Sequence, residues 1–237
     1  MKHVLLPDDR CRRLPFYLAL EEWVARTLPA EDWFFSWSVA PTVIVGRNQD
    51  LATEVDLEYC RTHGIDVCRR RSGGGCVYAD PGNIMLSFVT DSTDVHDTFA
   101  RCIGLVADRL RAMGIDARAN GRNDIEVNGR KVSGNAFYHL PGRSIVHGTM
   151  LYDTDMANML GAITPTRAKL QSHRVTSVEA RVVTVRQLLP EMEREQFRRA
   201  LVDGLTDSEY MLTDSDIRAV ETIEGGYYRP GWLENGR

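Results

Sequence analysis

Two short stretches of this sequence bring together side chains that can hold anions. Arg69 to Asn83, RRRSGGGCVYADPGN, sets three consecutive arginines ahead of three consecutive glycines. Adjacent glycines cost backbone entropy, so a chain carries them where a side chain would obstruct something or where φ must be positive. Exposed N–H groups in such a loop form a concavity for anions, and arginine adds a forked donor suited to phosphate or carboxylate. The stretch is neither a G-x-x-x-x-G-K-[ST] loop nor a G-x-G-x-x-G turn after a strand. Taken alone, it reads as a tight turn flanked by solvated charges.

The second stretch, GRNDIEVNGRKVSGNAFY at 121–138, changes that balance. It puts Asn123 and Asp124 at the start of one arm of a hairpin and Lys131 at the start of the other, around an Asn128-Gly129 turn. Paired strands aim such residues into a shared volume. A lysine beside a carboxylate and an amide, facing a glycine-lined anion site, suits a nucleotide phosphate and an acyl oxygen. Lys131 taken alone would be an ordinary solvated hairpin lysine. His147, in HGT beside a strand, reads either as a base or as a satisfied core histidine.

Helices and strands must position these groups. Leu14, Tyr17, Leu18, Val24 and Leu28 share a helical face, with Pro15 in the first turn where a missing N–H costs little. Phe99, Cys102, Ile103, Val106, Leu110 and Met113 mark a second helix that Gly114 stops, and a third is expected at 192–203. FFSWSV at 34–39, TVIVG at 42–46, IMLSFV at 84–89 and SIVHGTMLY at 144–152 read as strands, mostly buried on both faces. Asn128-Gly129 and Pro141-Gly142 turn two hairpins. Early alternation of strands with helices, followed by hairpins, predicts an α+β fold: a mixed, largely antiparallel sheet flanked by helices. No repeat or low-complexity linker divides residues 1–237, so one domain is expected.

Composition narrows the function. The 237 residues carry 29 Lys+Arg against 33 Asp+Glu, a formal net charge of -4, which argues against a nucleic-acid surface. No window approaches the eighteen or more apolar residues of a membrane span and the N-terminus lacks an apolar signal region, so a cytoplasmic location is expected. The five cysteines form no C-x-x-C pair and no zinc spacing, and reduced thiols are expected.

RRRSGGGCVYADPGN, GRNDIEVNGRKVSGNAFY, HGTMLYD (147–153) and KLQSHRVTSVEARVV (169–183), in this order and spacing, closely resemble the catalytic domain of lipoate-protein ligases. The resemblance runs from the first helix to YYRPGW. It implies the biotin and lipoate ligase catalytic fold and a reaction in two steps. Lipoate attacks the α-phosphorus of ATP, giving lipoyl-AMP and pyrophosphate. An acceptor lysine then takes the acyl group and AMP leaves. The implied acceptors are lipoyl domains of 2-oxo acid dehydrogenase complexes, on their E2 subunits, and the glycine cleavage H protein.

Carried over residue by residue, the resemblance places Arg70, Gly75, Cys76, Val77, Tyr78, Asn123, Asp124 and Lys131 at the nucleotide. Ser72, Gly74, Gly75, Lys131, His147 and Gly148 fall at lipoate, and Arg174 and Ser177 in the adenylate-covering loop. Lys131 would be an electrostatic clamp between two anions rather than a nucleophile. Asp124 would hold Mg²⁺ or orient Lys131. The resemblance ends with the catalytic domain, so a separate accessory protein is expected to assist adenylation. Cys76 stands where the family more often has alanine, and reads as a small packed residue or as a reactive thiol. Three other readings remain: an octanoyltransferase that uses no ATP but a cysteine, which here would have to precede the lysine; biotin ligase; and a non-catalytic lipoyl-AMP-binding domain.

Overall fold

Period-two burial builds the main sheet. In β2 (Trp33–Trp37) the side chains of Trp33, Phe35 and Trp37 enter one core and Phe34 the other. β6 (Asn83–Thr90) does the same with Met85 and Val89 against Ile84, Leu86 and Phe88, and all eight of its residues are buried. Such strands are covered on both faces. With β1 (Lys2–Leu5), β7 (Ala117–Ala119), β8 (Asp124–Val127), β9 (Arg130–Leu140), β10 (Arg143–Leu151) and β11 (Ser208–Met211) they form an eight-stranded sheet, ordered β11-β1-β2-β6-β10-β9-β8-β7. β1 runs parallel to β2 and β11, and the other neighbours are antiparallel. In this computed structural model the described residues are 1–92, 94–163 and 181–236.

Both expected hairpins form. Asn128 (φ 51°) and Gly129 (φ 73°) are left-handed, as a two-residue turn between twisted antiparallel strands requires. The β9–β10 turn closes at Pro141-Gly142, between Leu140 and Arg143.

Helix α1 (Leu14–Thr27) is buried from Leu14 through Ala25. It lies between the main sheet and α8 (Asp214–Glu224). On the opposite face α4 (Val95–Ala112) and α7 (Arg194–Asp203) pack with Phe34, Leu86, Phe88 and Val146 in a second core. Asp94 caps α4 by accepting from the Asp97 N–H at 2.8 Å, which starts the helix before Phe99.

A separate three-stranded sheet was not evident in the sequence. β3 (Thr42–Val45) pairs in parallel with β4 (Asp66–Arg69) and antiparallel with β5 (Val77–Ala79). The TVIVG segment therefore leaves the main sheet. Val43 and Val45 enter a third core with Tyr78, Cys60 and Ala162, the last in α5 (Met156–Ala162), while Ile44 points back toward α1.

Candidate active site

The two sheets face each other across a cavity of about 690 Å³. Its floor is one cross-strand row of the main sheet: Trp37 pairs with Met85, Met85 with Thr149, Thr149 with Gly134 and Gly134 with Asp124. The row passes from aromatic and apolar, through small, to charged. Leu18 of α1 and Ile44 of β3 join its apolar end, making a slot fit for a chain whose polar end arrives at Asp124.

Lys131 stands at that charged end. Its side chain crosses Gly134 and places Nζ 2.8 Å from Asp124 Oδ1. A Cβ on Gly134 would lie 2.4 Å from Nζ, so this path requires glycine. The pair is partly exposed, at 36% and 21%, and ion pairs of that kind contribute at most about 1 kcal/mol to stability. Its value is positional: Asp124 aims a cation over the row. Asn123 is tied to Asn135, whose backbone N–H donates to Asn123 O at 2.8 Å and whose Nδ2 donates to the same carbonyl at 3.0 Å. Thus Asn123, Asp124, Lys131, Gly148 and His147 all line one cavity with Gly74, Gly75, Cys76, Val77 and Tyr78.

The three arginines diverge. Arg69 is 1% exposed and donates to the carbonyls of Gly46, Gln49, Leu233 and Glu234, tying the C-terminal turn of helix to the small sheet. Arg71 grips Glu22 at 2.6 Å and lies over the Tyr227 ring. Arg70 alone lines the cavity. Its guanidinium donates to Ile44 O at 3.0 Å, Gly73 O at 2.7 Å and Gly75 O at 2.7 Å, and burial draws its pKa down to about 10. Arg70 thus shapes the glycine loop from inside. Gly74, with φ 90°, makes the left-handed step in that loop.

His147 has a partner at each ring nitrogen. Nε2 lies 2.7 Å from Ser72 Oγ and Nδ1 lies 2.8 Å from Glu21 Oε2. Glu21 also accepts from Ser87 Oγ at 2.6 Å, and Ser87 from Trp37 Nε1 at 2.9 Å. The series resembles a nucleophile, base and orienter, yet Ser72 is 2% exposed and stands outside the cavity lining. The relay fixes the imidazole and the loop serine, which favours the structural reading of His147.

Sequence reasoning missed Glu21. The signal was available: Glu21-Glu22 interrupts an otherwise apolar helix, and buried carboxylates require partners. It also missed the slot residues Leu18, Trp37, Ile44 and Met85, the α5 wall at Met159, and Arg181. Arg174 and Ser177 lie outside the described residues.

The donor set does not fit a resident Mg²⁺. Asp124 is engaged by Lys131, Glu126 accepts from Asn120 Nδ2 at 3.0 Å, and the described residues contain no cluster of three His, Cys, Asp or Glu fit for a metal. A magnesium ion carried on nucleotide phosphates would be part of the substrate. Burial pushes the Cys68 and Cys102 thiols up to about 12, making them inert near neutrality. No helix among the described residues is long and apolar enough to cross a membrane.

Known proteins similar to this chain are lipoate-protein ligases. Lipoate--protein ligase 1 of Staphylococcus aureus is 37% identical over 227 residues, spanning 93% of this chain and 69% of that protein. Lipoate-protein ligase LplJ of Bacillus subtilis is 34% identical, over 90% of this chain and 67% of its own length. Among solved structures, a chain from an archaeal lipoylation system, a bipartite lipoate protein ligase and its E2 lipoyl domain from Thermoplasma acidophilum, superposes with a TM-score of 0.86 at 25% identity, covering 99% of this chain and 96% of that one. A putative lipoate protein ligase from T. acidophilum with bound lipoic acid gives a TM-score of 0.83 at 25% identity, with full coverage of both chains. The model of the lipoyl protein ligase A/B catalytic domain matches residues 14–206, a span that contains every cavity residue named above, and this chain belongs to that family.

Proposed function

We propose that this chain is a lipoate-protein ligase, joining lipoate to the α-phosphate of ATP and transferring the lipoyl group to a lysine of a lipoyl domain. The observation that carries this is the cross-strand row, an apolar slot running from Trp37 and Met85 to the Lys131 ammonium beside a glycine loop. The acyl chain lies in the slot with its carboxylate at Lys131. A carboxylate oxygen attacks the α-phosphorus, pyrophosphate leaves, and a mixed anhydride forms. Lys131 reduces the repulsion between two anions and takes no covalent part in the reaction. In the second step the acceptor amine attacks the acyl carbon, AMP leaves with the bond electrons, and the amine proton passes to solvent. Positioning dominates that step because the acyl group is already activated.

Arg70, Gly75, Cys76, Val77 and Tyr78 are assigned to the nucleotide, Arg70 through its hold on the loop. Gly74 and Gly148 are assigned to the lipoate side, His147 lines that side in a structural role, and Ser72 stands behind it, holding His147 Nε2 rather than touching lipoate. E2 lipoyl domains and the glycine cleavage H protein are the proposed acceptors, in the cytoplasm. The bipartite T. acidophilum relative supports a second polypeptide that assists adenylation. Incubation of the purified chain with a lipoyl domain, lipoate and ATP, or with synthetic lipoyl-AMP, tests the reading by intact mass of the acceptor. Addition of one lipoyl group supports it, and an unmodified acceptor in both reactions refutes it.

A further inference from the structure

A second, smaller concavity of about 260 Å³ lies farther along β9, lined by Arg47, Arg71, Tyr138, Gly226, Arg229 and Trp232. None of these residues lines the main cavity, and neither step of the ligase reaction uses them. β9 fixes the distance between the two sites. Gly134 and Ala136 face the main cavity, and Tyr138 continues the same face of the strand. The four-residue step from Gly134 to Tyr138 spans about 13 Å. The glycine loop crosses the strand between them: a Cβ on Gly74 would lie 3.9 Å from Ala136 Cβ, and Ser72 O accepts from the Arg47 N–H at 2.9 Å.

The floor of this pocket is fixed and its rim is free. Both oxygens of Glu22 accept from Arg71 Nη1, at 2.7 and 2.6 Å, and the Arg71 guanidinium lies over the Tyr227 and Trp232 rings. A Cβ on Gly226 would stand 2.9 Å from Arg71 Nη2, so glycine keeps the floor open there. Trp232 Nε1 donates to Arg69 O at 3.0 Å, which sets the indole wall. Arg47 and Arg229 are exposed, and among the described residues neither side chain has an ion pair or hydrogen bond. Glu22 neutralises Arg71, and two cations remain at the rim.

Arginine, tyrosine and tryptophan are the residues in which protein interfaces concentrate their binding energy. Exposed guanidiniums beside rigid aromatic walls suit carboxylates, and the chain's net charge of -4 argues against a nucleic acid. A protein that delivers a lysine into the main cavity must rest on the surface around its mouth. An interface of standard size covers roughly 800 Å² on each partner, a disc of about 16 Å radius, which includes a pocket about 13 Å away.

We propose that the Arg47–Arg229 pocket docks carboxylate side chains of the acceptor domain, placed within about 16 Å of its target lysine, and so aims that lysine into the main cavity. The proposal rests on the ligase reading, and its test separates the two. Full-length wild type would be compared with Arg47→Glu/Arg229→Glu and the milder Arg47→Gln/Arg229→Gln, each checked for folding by circular dichroism. A purified lipoyl domain serves as acceptor and lipoyl-AMP as donor. Transfer is followed by intact mass, and binding of each by calorimetry at low and high salt. Charge reversal should raise the KM and Kd for the lipoyl domain at least about tenfold, with kcat held within about twofold. The glutamine variant should fall between. Wild-type binding of the lipoyl domain should weaken as salt is added, and that dependence should be lost in the reversed variant. Affinity for lipoyl-AMP should be the same in all three proteins.

Unchanged KM and Kd for the lipoyl domain in Arg47→Glu/Arg229→Glu overturn the docking site and leave the ligase reading standing. So does an equal loss of lipoyl-AMP affinity, which would put these arginines at the donor. A wild type that binds the lipoyl domain through them yet transfers no acyl group refutes the ligase reading and keeps the docking site. A wild type that neither binds nor modifies the lipoyl domain removes both.

Discussion

Lys131 lies across Gly134 so closely that an added Cβ would stand 2.4 Å from Nζ and 2.5 Å from Cε. The lysine thereby reaches Asp124, the strand partner of Gly134, rather than turning into solvent beside its own partner Glu126. A missing side chain on β9 steers the cation over the row that leads from the acyl slot.

Gly134→Ala should therefore act on chemistry rather than on the fold. The displaced group is the flexible end of a lysine, so thermal stability should change by less than about 1 kcal/mol. Acyl transfer to a lipoyl domain should fall at least about tenfold, a loss of near 1.4 kcal/mol of transition-state stabilisation. Full activity in a folded Gly134→Ala protein would show that the lysine's path is immaterial.

Arg70→Gln is expected to lose stability and nucleotide affinity together. The guanidinium satisfies Ile44, Gly73 and Gly75 carbonyls in a shielded position, and removing charged donors from such acceptors costs about 2 kcal/mol or more. Urea unfolding and ATP calorimetry on the same preparation would read both quantities. Lost affinity with unchanged stability would mean that Arg70 acts by touching the nucleotide and not by shaping the loop.

Glu21→Gln tests whether the Ser72–His147–Glu21 relay is structural. It weakens the acceptor for His147 and Ser87, and leaving buried groups poorly paired costs about 1–3 kcal/mol. At about 2–4 °C per kcal/mol for a chain of this size, the melting temperature should drop by several degrees. Turnover per folded molecule should fall less than tenfold. Abolished turnover at an unchanged melting temperature would make the relay part of the reaction.

The fold's outline was legible where periodicity was strong. β6 and β10 are long apolar strands, and their limits agree with the sequence reading to within one residue at each end. The helix over Leu14–Thr27 and both hairpins followed from spacing and turn residues. The second sheet was not legible, because TVIV is buried whichever sheet it joins and β4 and β5 are only four and three residues long. In the site, the hairpin motif set Lys131 beside Asn123 and Asp124, whereas Arg70 was singled out from Arg69 and Arg71 by the family resemblance alone. Trp37, Met85 and Glu21 were hidden, since a slot wall and a core residue have the same apolar pattern and Glu21 acquires meaning only beside His147.

Cysteine chemistry is expected to be dispensable. Cys68 and Cys102 are protonated at neutral pH because burial raises their pKa to about 12; Cys76 does line the cavity. Cys76→Ala should retain most transfer from lipoyl-AMP, and the wild type should carry no thioester. An acyl group on Cys76 in intact-protein mass spectra, with transfer lost in Cys76→Ala, would establish the ATP-independent octanoyltransferase route instead.

The most direct test compares the wild type with Lys131→Met, its fold checked by circular dichroism, using a purified lipoyl domain as acceptor and lipoyl-AMP as donor. Lys131 supplies the charge that faces the acyl phosphate and packs no core, so the variant should fold normally. Intact mass should show one lipoyl group added by the wild type and none by Lys131→Met. Equal modification by both proteins, or no modification by the wild type, would contradict the account.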